Sequence, residues 1–163
     1  VVAACQLRTT VQIKDFAIIS SEMIDDKNTQ LIIYADGGSR GNPGQSGTGF
    51  VIYDEEMKEM DRGGEYIGVT TNNQAEYLAV KHALQAAQKL EPTEINFFLD
   101  SMLVVNQMKG LYKIKNRDLW PVHQQIKDLS EGIKLSYTHV KRDKNEAADA
   151  IVNEVLDNHA QQS

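Results

Sequence analysis

The sequence predicts an α/β fold, a sheet of five strands with helices covering its faces. Two observations carry that expectation: short β-branched apolar runs bounded by turn residues, and segments of helical periodicity that alternate with them through the second half. Leu31-Ile32-Ile33-Tyr34, ending at Asp36-Gly37-Gly38, reads as the first strand. Gly37 to Gly47 holds five glycines and Pro43, which reads as a turn-rich connection into the strand Gly49–Tyr53. The charged stretch 54–62 and the Gly63-Gly64 pair then suggest a hairpin into a third strand near Glu65–Val69, completing an antiparallel meander.

A helix follows, with Thr71, Asn72 and Asn73 as N-cap candidates and Ala79, Val80, Ala83, Leu84, Ala87 and Leu90 at helical spacing before Pro92. Ile95–Leu99 reads as a strand buried on both faces and ends at Asp100. Leu103 to Met108 begins a second helix that breaks at Gly110, Leu119 to Leu129 forms a third, and Ile133–Val140 is the fifth strand. The last helix starts near Asn145, with Asp143 and Glu146 as an expected capping box and Ala148, Ile151, Val152, Val155 and Leu156 as its apolar stripe. The domain is expected over 30–158, with an extension at 1–29 and a tail at 159–163. Within the extension, Val11, Ile13, Phe16, Ile18 and Ile19 fit one strand or short helix, and Asp25–Asn28 a polar linker.

Composition narrows the function classes. The chain has 163 residues, 41% hydrophobic and 25% charged, which suits one globular domain with a sizeable core. No run approaches the ~18–20 apolar residues of a membrane span, so no membrane partner is expected. The single cysteine, Cys5, excludes an internal disulfide and suits a reducing compartment; a cytoplasmic monomer is the expectation. The net charge of −6 argues against broad electrostatic attachment to nucleic acid but leaves room for a local basic patch.

Four acids occupy places that acids avoid. Asp36 and Asp100 each follow an apolar strand, where open α/β sheets gather ligands. Glu76 shares the stripe of Ala79, Val80 and Ala83, and Asp149 that of Val152 and Leu156. Any one of them alone fits a turn or helix-dipole role. Four such acids, with no equally placed Lys or Arg, point to a bound cation, because an unpaired buried acid is costly. Carboxylates without Cys or paired His ligands favour a hard ion, Mg²⁺ or Mn²⁺. Spacing alone does not bring the four together.

The same residues lie in blocks that resemble the type 1 ribonuclease H family. Tyr34-Ala35-Asp36-Gly37-Gly38-Ser39-Arg40-Gly41-Asn42-Pro43-Gly44 resembles its first motif, Thr71–Tyr77 its second, Leu99-Asp100-Ser101 its third, and His139–Asp149 its fourth, in the family's order. The resemblance implies a ribonuclease H-like fold, a five-stranded mixed sheet flanked by helices. It implies a metal-dependent endoribonuclease acting on the RNA strand of an RNA–DNA hybrid and leaving 5′-phosphate and 3′-hydroxyl ends. Asp36, Glu76, Asp100 and Asp149 would hold two Mg²⁺ ions, with Mn²⁺ as a possible substitute. Asn42, Thr71, Asn72 and Asn73 match positions that meet the nucleic acid, where short amides and a hydroxyl can bond 2′-OH groups, base edges or phosphates. His139 matches the family's loop histidine, while Arg142 stands where some compact relatives carry an arginine; His139 is the favoured assistant.

Two departures bear on substrate grip. The basic, Trp-rich protrusion of some members has no counterpart between Met108 and Trp120, although Lys109, Lys113, Lys115 and Arg117 remain beside Tyr112 and Trp120. Met102 stands where the resemblance implies a polar contact to RNA, and it offers no donor. The alternatives are a binding protein of this fold with little catalysis, or a nuclease of the same fold acting on double-stranded RNA.

Overall fold

The computed structural model describes residues 27–163, so the apolar positions between Val11 and Ile19 lie outside the described residues. One five-stranded sheet has the order β3-β2-β1-β4-β5. Strands β1 (Gln30–Gly41), β2 (Gly44–Tyr53) and β3 (Glu59–Thr70) form an antiparallel meander. β4 (Glu94–Leu99) pairs parallel to β1, and β5 (Lys134–His139) parallel to β4, so the sheet is mixed. The helices are α1 (Asn72–Ala87), α2 (Met102–Met108), α3 (Trp120–Leu129) and α4 (Glu146–Gln162). The chain thus continues helically to Gln162, through most of the segment 159–163 expected as a tail. Among the described residues, no helix is long and apolar enough to cross a membrane.

The glycine-rich segment differs from its sequence reading. Instead of a loop from Gly37 to Gly47, β1 and β2 form one long hairpin paired from Ile32↔Tyr53 to Gly41↔Gly44. The glycines serve close approach. A Cβ at Gly37 would lie 2.1 Å from the Ala75 backbone of α1, and one at Gly49 would lie 2.5 Å from the Ala148 carbonyl of α4. Gly38 meets Val152 of α4 while its neighbour Gly37 meets α1, so the two helices cover opposite faces of the sheet. The Gly63-Gly64 pair likewise lies inside β3. The turn falls earlier, where the Asp54 carboxylate accepts from the amides of Glu56 and Lys58 at 2.9 Å each.

Local chemistry starts and stops the helices. Thr71 caps α1 in a capping box with Gln74, its hydroxyl accepting from the Gln74 amide at 3.2 Å. Ser101 caps α2 by accepting from the Val104 amide, and Gly110 at φ +75° follows its end. The expected Asp143–Glu146 box does not form: Asp143 lies in the 3₁₀ turn Arg142–Lys144, and Asn145 takes the cap position without a side-chain cap bond.

The main core lies between the sheet and α1, α2 and α3. Leu31, Ile33, Ile95 and Phe97 point into it, with Tyr77, Leu84, Val104 and Leu119 from the helices, all 2% exposed or less. Each such large side chain contributes about 1.5–3 kcal/mol by leaving water. The buried Tyr77 hydroxyl is satisfied by donating to Gln107 at 2.8 Å. On the other face α4 packs on β1, β2 and β3. β4 is therefore fully buried on one face only; Asn96 and Phe98 are half-buried, and Phe98 stacks on Tyr34 at 5.0 Å.

Candidate active site

Asp36 lies inside β1, two residues past the last β1–β4 ladder pair, Tyr34↔Phe98, and Asp100 lies two residues past the same pair on β4. The parallel register therefore sets the two acids level. Glu76 comes from the N-terminal part of α1, which Gly37 allows to sit against β1. Asp149 comes from the first turn of α4 on the other face. Asp36, Glu76 and Asp100 each offer an oxygen within 4.8 Å of the others. Asp149 lines the same cleft, of about 430 Å³, outside that close group. Its Oδ1 lies 3.4 Å from the Arg142 guanidinium, and its Oδ2 accepts from Asn153 at 3.2 Å.

The electrostatics follow from this crowding. Burial first, then the charges of Asp100, Asp149 and Glu76, push the Asp36 carboxyl up to about 8, against one backbone bond from Gly37. Burial pushes Glu76 up to about 7, opposed by the nearby Ser101 hydroxyl and reinforced by Asp100. Burial also raises Asp100, while Arg142 draws it back down. Glu76 Oε2 is buried without a hydrogen-bond partner. A buried acceptor left unpaired costs about 1–3 kcal/mol, more when charged. Clustered oxygens that resist ionisation, one of them unpaired, form a donor set that fits a hard divalent cation.

The amides expected at the nucleic acid are tied to the protein here. Asn42 Oδ1 accepts from the Asn72 amide at 3.1 Å, Asn72 Oδ1 accepts from the Ser39 amide at 3.3 Å, and Asn72 Nδ2 lies 3.5 Å from Glu76 Oε1. These bonds join the β1–β2 turn to the start of α1. Thr71 spends its hydroxyl on the cap, and Asn73 is half-buried at the second position of α1.

His139 and Arg142 separate clearly. The resemblance matches His139 to a loop histidine, while the structure, in line with the strand expected over Ile133–Val140, makes it the last residue of β5, where the ladder pairs it with Leu99. Its Nε2 lies 3.2 Å from the Asp100 backbone carbonyl, and it does not line the cleft. Arg142, in the turn before α4, does. Sequence reasoning missed three side chains around the acids: Asn153, which donates to Asp149, and Ser101 and Asn145, which lie near Glu76 and Asp100. Asn153 was legible, since it lies four residues after Asp149 on one helix face. Ser101 and Asn145 resemble ordinary cap residues in the sequence. His82, which the sequence leaves without a role, bridges Thr48 Oγ1 and Glu65 Oε1 at 3.0 Å each.

Beside α2, the basic residues Lys109, Lys113, Lys115 and Arg117 stay exposed, and only the 3₁₀ turn Arg117–Leu119 intervenes before α3. Arg117 lies 5.7 Å from the Trp120 ring centre, and Trp120 and Tyr112 are each 52% exposed. A groove there is lined by Lys109, Lys113, Lys127 and His123 and contains no acid.

Residues 34–155 match the family described as Reverse transcriptase-like. The chain is 39% identical over 140 residues to Ribonuclease HI of Halobacterium salinarum, covering 85% of this chain and 70% of that one. It is 40% identical over 134 residues to a bifunctional protein of Mycobacterium tuberculosis, covering 81% of this chain; that match spans only 37% of the relative's length. Among solved structures, LC11-RNase H1 in complex with an RNA/DNA hybrid is 40% identical with a TM-score of 0.77, covering 80% of this chain and 99% of that one.

Proposed function

Because the chain belongs to the ribonuclease H family, we propose that it is a metal-dependent endoribonuclease that hydrolyses the RNA strand of RNA–DNA hybrids. One observation carries the reading: three carboxyl oxygens lie within 4.8 Å of one another, beside an unpaired buried Glu76 oxygen. The hybrid bound to a structure of matching fold at 40% identity supports the substrate class. Asp36, Glu76, Asp100 and Asp149 would hold Mg²⁺, or Mn²⁺ in its place. Bound there, divalent ions supply an activated water and neutralise charge at the scissile phosphate, and the expected ends are 5′-phosphate and 3′-hydroxyl.

The chain's own groups do the rest. Asp36 and Glu76, with their raised pKa values, give up protons when a cation binds. Asn72 lines the cleft with its side-chain amide beside Glu76, and Asn42 braces it by accepting from its backbone amide. Of the two loop candidates Arg142 is the better placed, because its exposed guanidinium lines the cleft and can reach a phosphate. The acid-free lysine groove offers a track for a second strand's phosphates despite the net charge of −6.

The test is a cleavage assay on RNA–DNA hybrid, double-stranded RNA and double-stranded DNA, with Mg²⁺ or Mn²⁺ and with chelator. Cleavage confined to the hybrid's RNA strand, lost with chelator and in Asp36→Asn, is the expected result. Equal cleavage of double-stranded RNA, or substantial activity left in Asp36→Asn, would overturn the reading.

A further inference from the structure

Asn145 precedes α4 and is 1% exposed, yet its side chain does not cap that helix. Nδ2 donates instead to the Ala35 carbonyl at 3.0 Å, across 110 residues of sequence. The same side chain lies beside the Asp100 carboxyl and helps to draw its pKa back down. Its backbone carbonyl accepts from the Asp149 amide at 3.1 Å. One residue therefore bonds the peptide before Asp36 and the helical turn that carries Asp149, and neighbours the carboxyl of Asp100. Oδ1 is buried without a hydrogen-bond partner. An exposed Ser or Asp would cap a helix here without burying an unpaired oxygen, so helix stability does not account for the placement.

The choice of an amide has a chemical reason. Four acids line one cleft and repel one another, and a donor beside Asp100 favours its ionised carboxyl. Lys or Arg would supply the donor but bring a positive charge that opposes a cation, whereas a neutral amide supplies two N–H groups and no charge. We propose that Asn145 is a positioning residue that fixes the spacing of the Asp36, Asp100 and Asp149 carboxylates, so that divalent-ion affinity depends on it more than the chemical step does. This rests on the reading of the cleft as a divalent-ion site.

The experiment compares the native chain with Asn145→Ala in three measurements: calorimetric titration with Mg²⁺ alone, the Mg²⁺ dependence of hybrid cleavage, and melting without divalent ion. Substitution of groups that orient metal ligands typically weakens metal affinity by about 10–100-fold. The expected result is a loss of that size in Mg²⁺ affinity and a matching rise in the Mg²⁺ needed for half-maximal cleavage. Saturating Mg²⁺ then restores kcat, and KM for the hybrid is unchanged. Native Mg²⁺ affinity with a lowered melting temperature would show a merely structural role and overturn the proposal, as would a kcat loss that saturating Mg²⁺ does not restore. If Asn145→Ala does not fold, Asn145→Ser keeps one donor and carries the same titration; unchanged affinity there overturns the proposal. A native chain that binds Mg²⁺ but cleaves no hybrid overturns the ribonuclease reading alone, and the Mg²⁺ titration still decides the role of Asn145. A native chain that binds no Mg²⁺ overturns both.

Discussion

Arg142 and His139 lie three residues apart and sit in different chemical settings. The β4–β5 ladder holds His139 at a strand end with its ring against the Asp100 carbonyl, whereas Arg142 lines the cleft beside Asp149. An exposed ion pair of this kind adds little stability, so removing the guanidinium is expected to affect catalysis and leave the fold intact. A charge-assisted hydrogen bond to phosphate is worth about 1.5–3 kcal/mol, or roughly a 10–100-fold change in rate. Arg142→Ala is therefore expected to slow single-turnover cleavage by that factor with an unchanged melting temperature. His139→Ala is expected to leave the single-turnover rate nearly native; the reverse ranking would restore His139 as the assisting group. Why the sequence favoured His139 is clear at this scale. A motif aligns residues by order and does not report which of two neighbouring side chains faces the cleft. The acids themselves were legible in hydrophobic periodicity, Asp100 at a strand end and Glu76 and Asp149 on core stripes, although Asp36, expected at a strand end, lies inside β1, which continues to Gly41. Their second layer was not: Asn145 reads as a helix start, and only the fold shows its side chain turned back to Ala35.

At the level of elements, the sequence reading placed the strands and helices but misplaced the turns of the meander. Glycine carries two meanings there that a sequence does not separate, a turn or a close approach. Gly49 and Gly37 belong to the second kind, and both bring a helix bearing an acid against the sheet. A methyl group at Gly49 would meet the Ala148 carbonyl at 2.5 Å and Ile151 Cβ at 2.9 Å, one of them backbone, so α4 has to move. Gly49→Ala is expected to cost roughly 1–3 kcal/mol in urea unfolding, in the range of overpacked cores. Because α4 carries Asp149, it should also raise the Mg²⁺ needed for cleavage. A fully native midpoint together with native Mg²⁺ dependence would show that α4 is not held by this contact. The two-faced burial expected of β4 failed for a related reason. α4 packs on the meander, so Phe98 finds Tyr34 as its cover rather than a helix, and no local pattern in Ile95–Leu99 reports which strands a distant helix will choose.

Across the whole molecule, the site opposes the stability of the fold that builds it. Asp36 and Glu76 have folded-state pKa values of about 8 and about 7, above their ordinary 3.8 and 4.5. An acid with a raised folded pKa contributes stability that is full below its unfolded value and lost as pH rises through the folded one. His82 acts in the opposite direction: burial lowers its pKa below 6.5, so its contribution is present above 6.5 and lost as pH falls through the lowered value. Glu65, which faces it from β3, pulls that pKa back up, and Lys81 beside it pushes it down. His123, also lowered by burial, acts in the same direction, so both imidazoles offset the acids' slope near pH 6.5, and towards pH 8.5, where they are neutral in both states, the acids set it. Each proton released only in the unfolded state costs about 1.4 kcal/mol per pH unit, and ionisation is partial at both ends of the window. Without divalent ion, stability is expected to fall by roughly 1–3 kcal/mol from pH 6.5 to 8.5, read as a lower urea midpoint. Millimolar Mg²⁺ should remove most of that slope, since an ion that binds only the folded state favours the ionised acids. Asp36→Asn should flatten the curve and, at pH 8.5 in chelator, unfold at higher urea than the native chain while cleaving nothing. A native curve that stays flat in chelator, or a variant less stable than native at pH 8.5, would mean that Asp36 is not held against its ionisation in the fold. In that case the drive for a cation to occupy the cleft would have to come from elsewhere than the crowding of its acids.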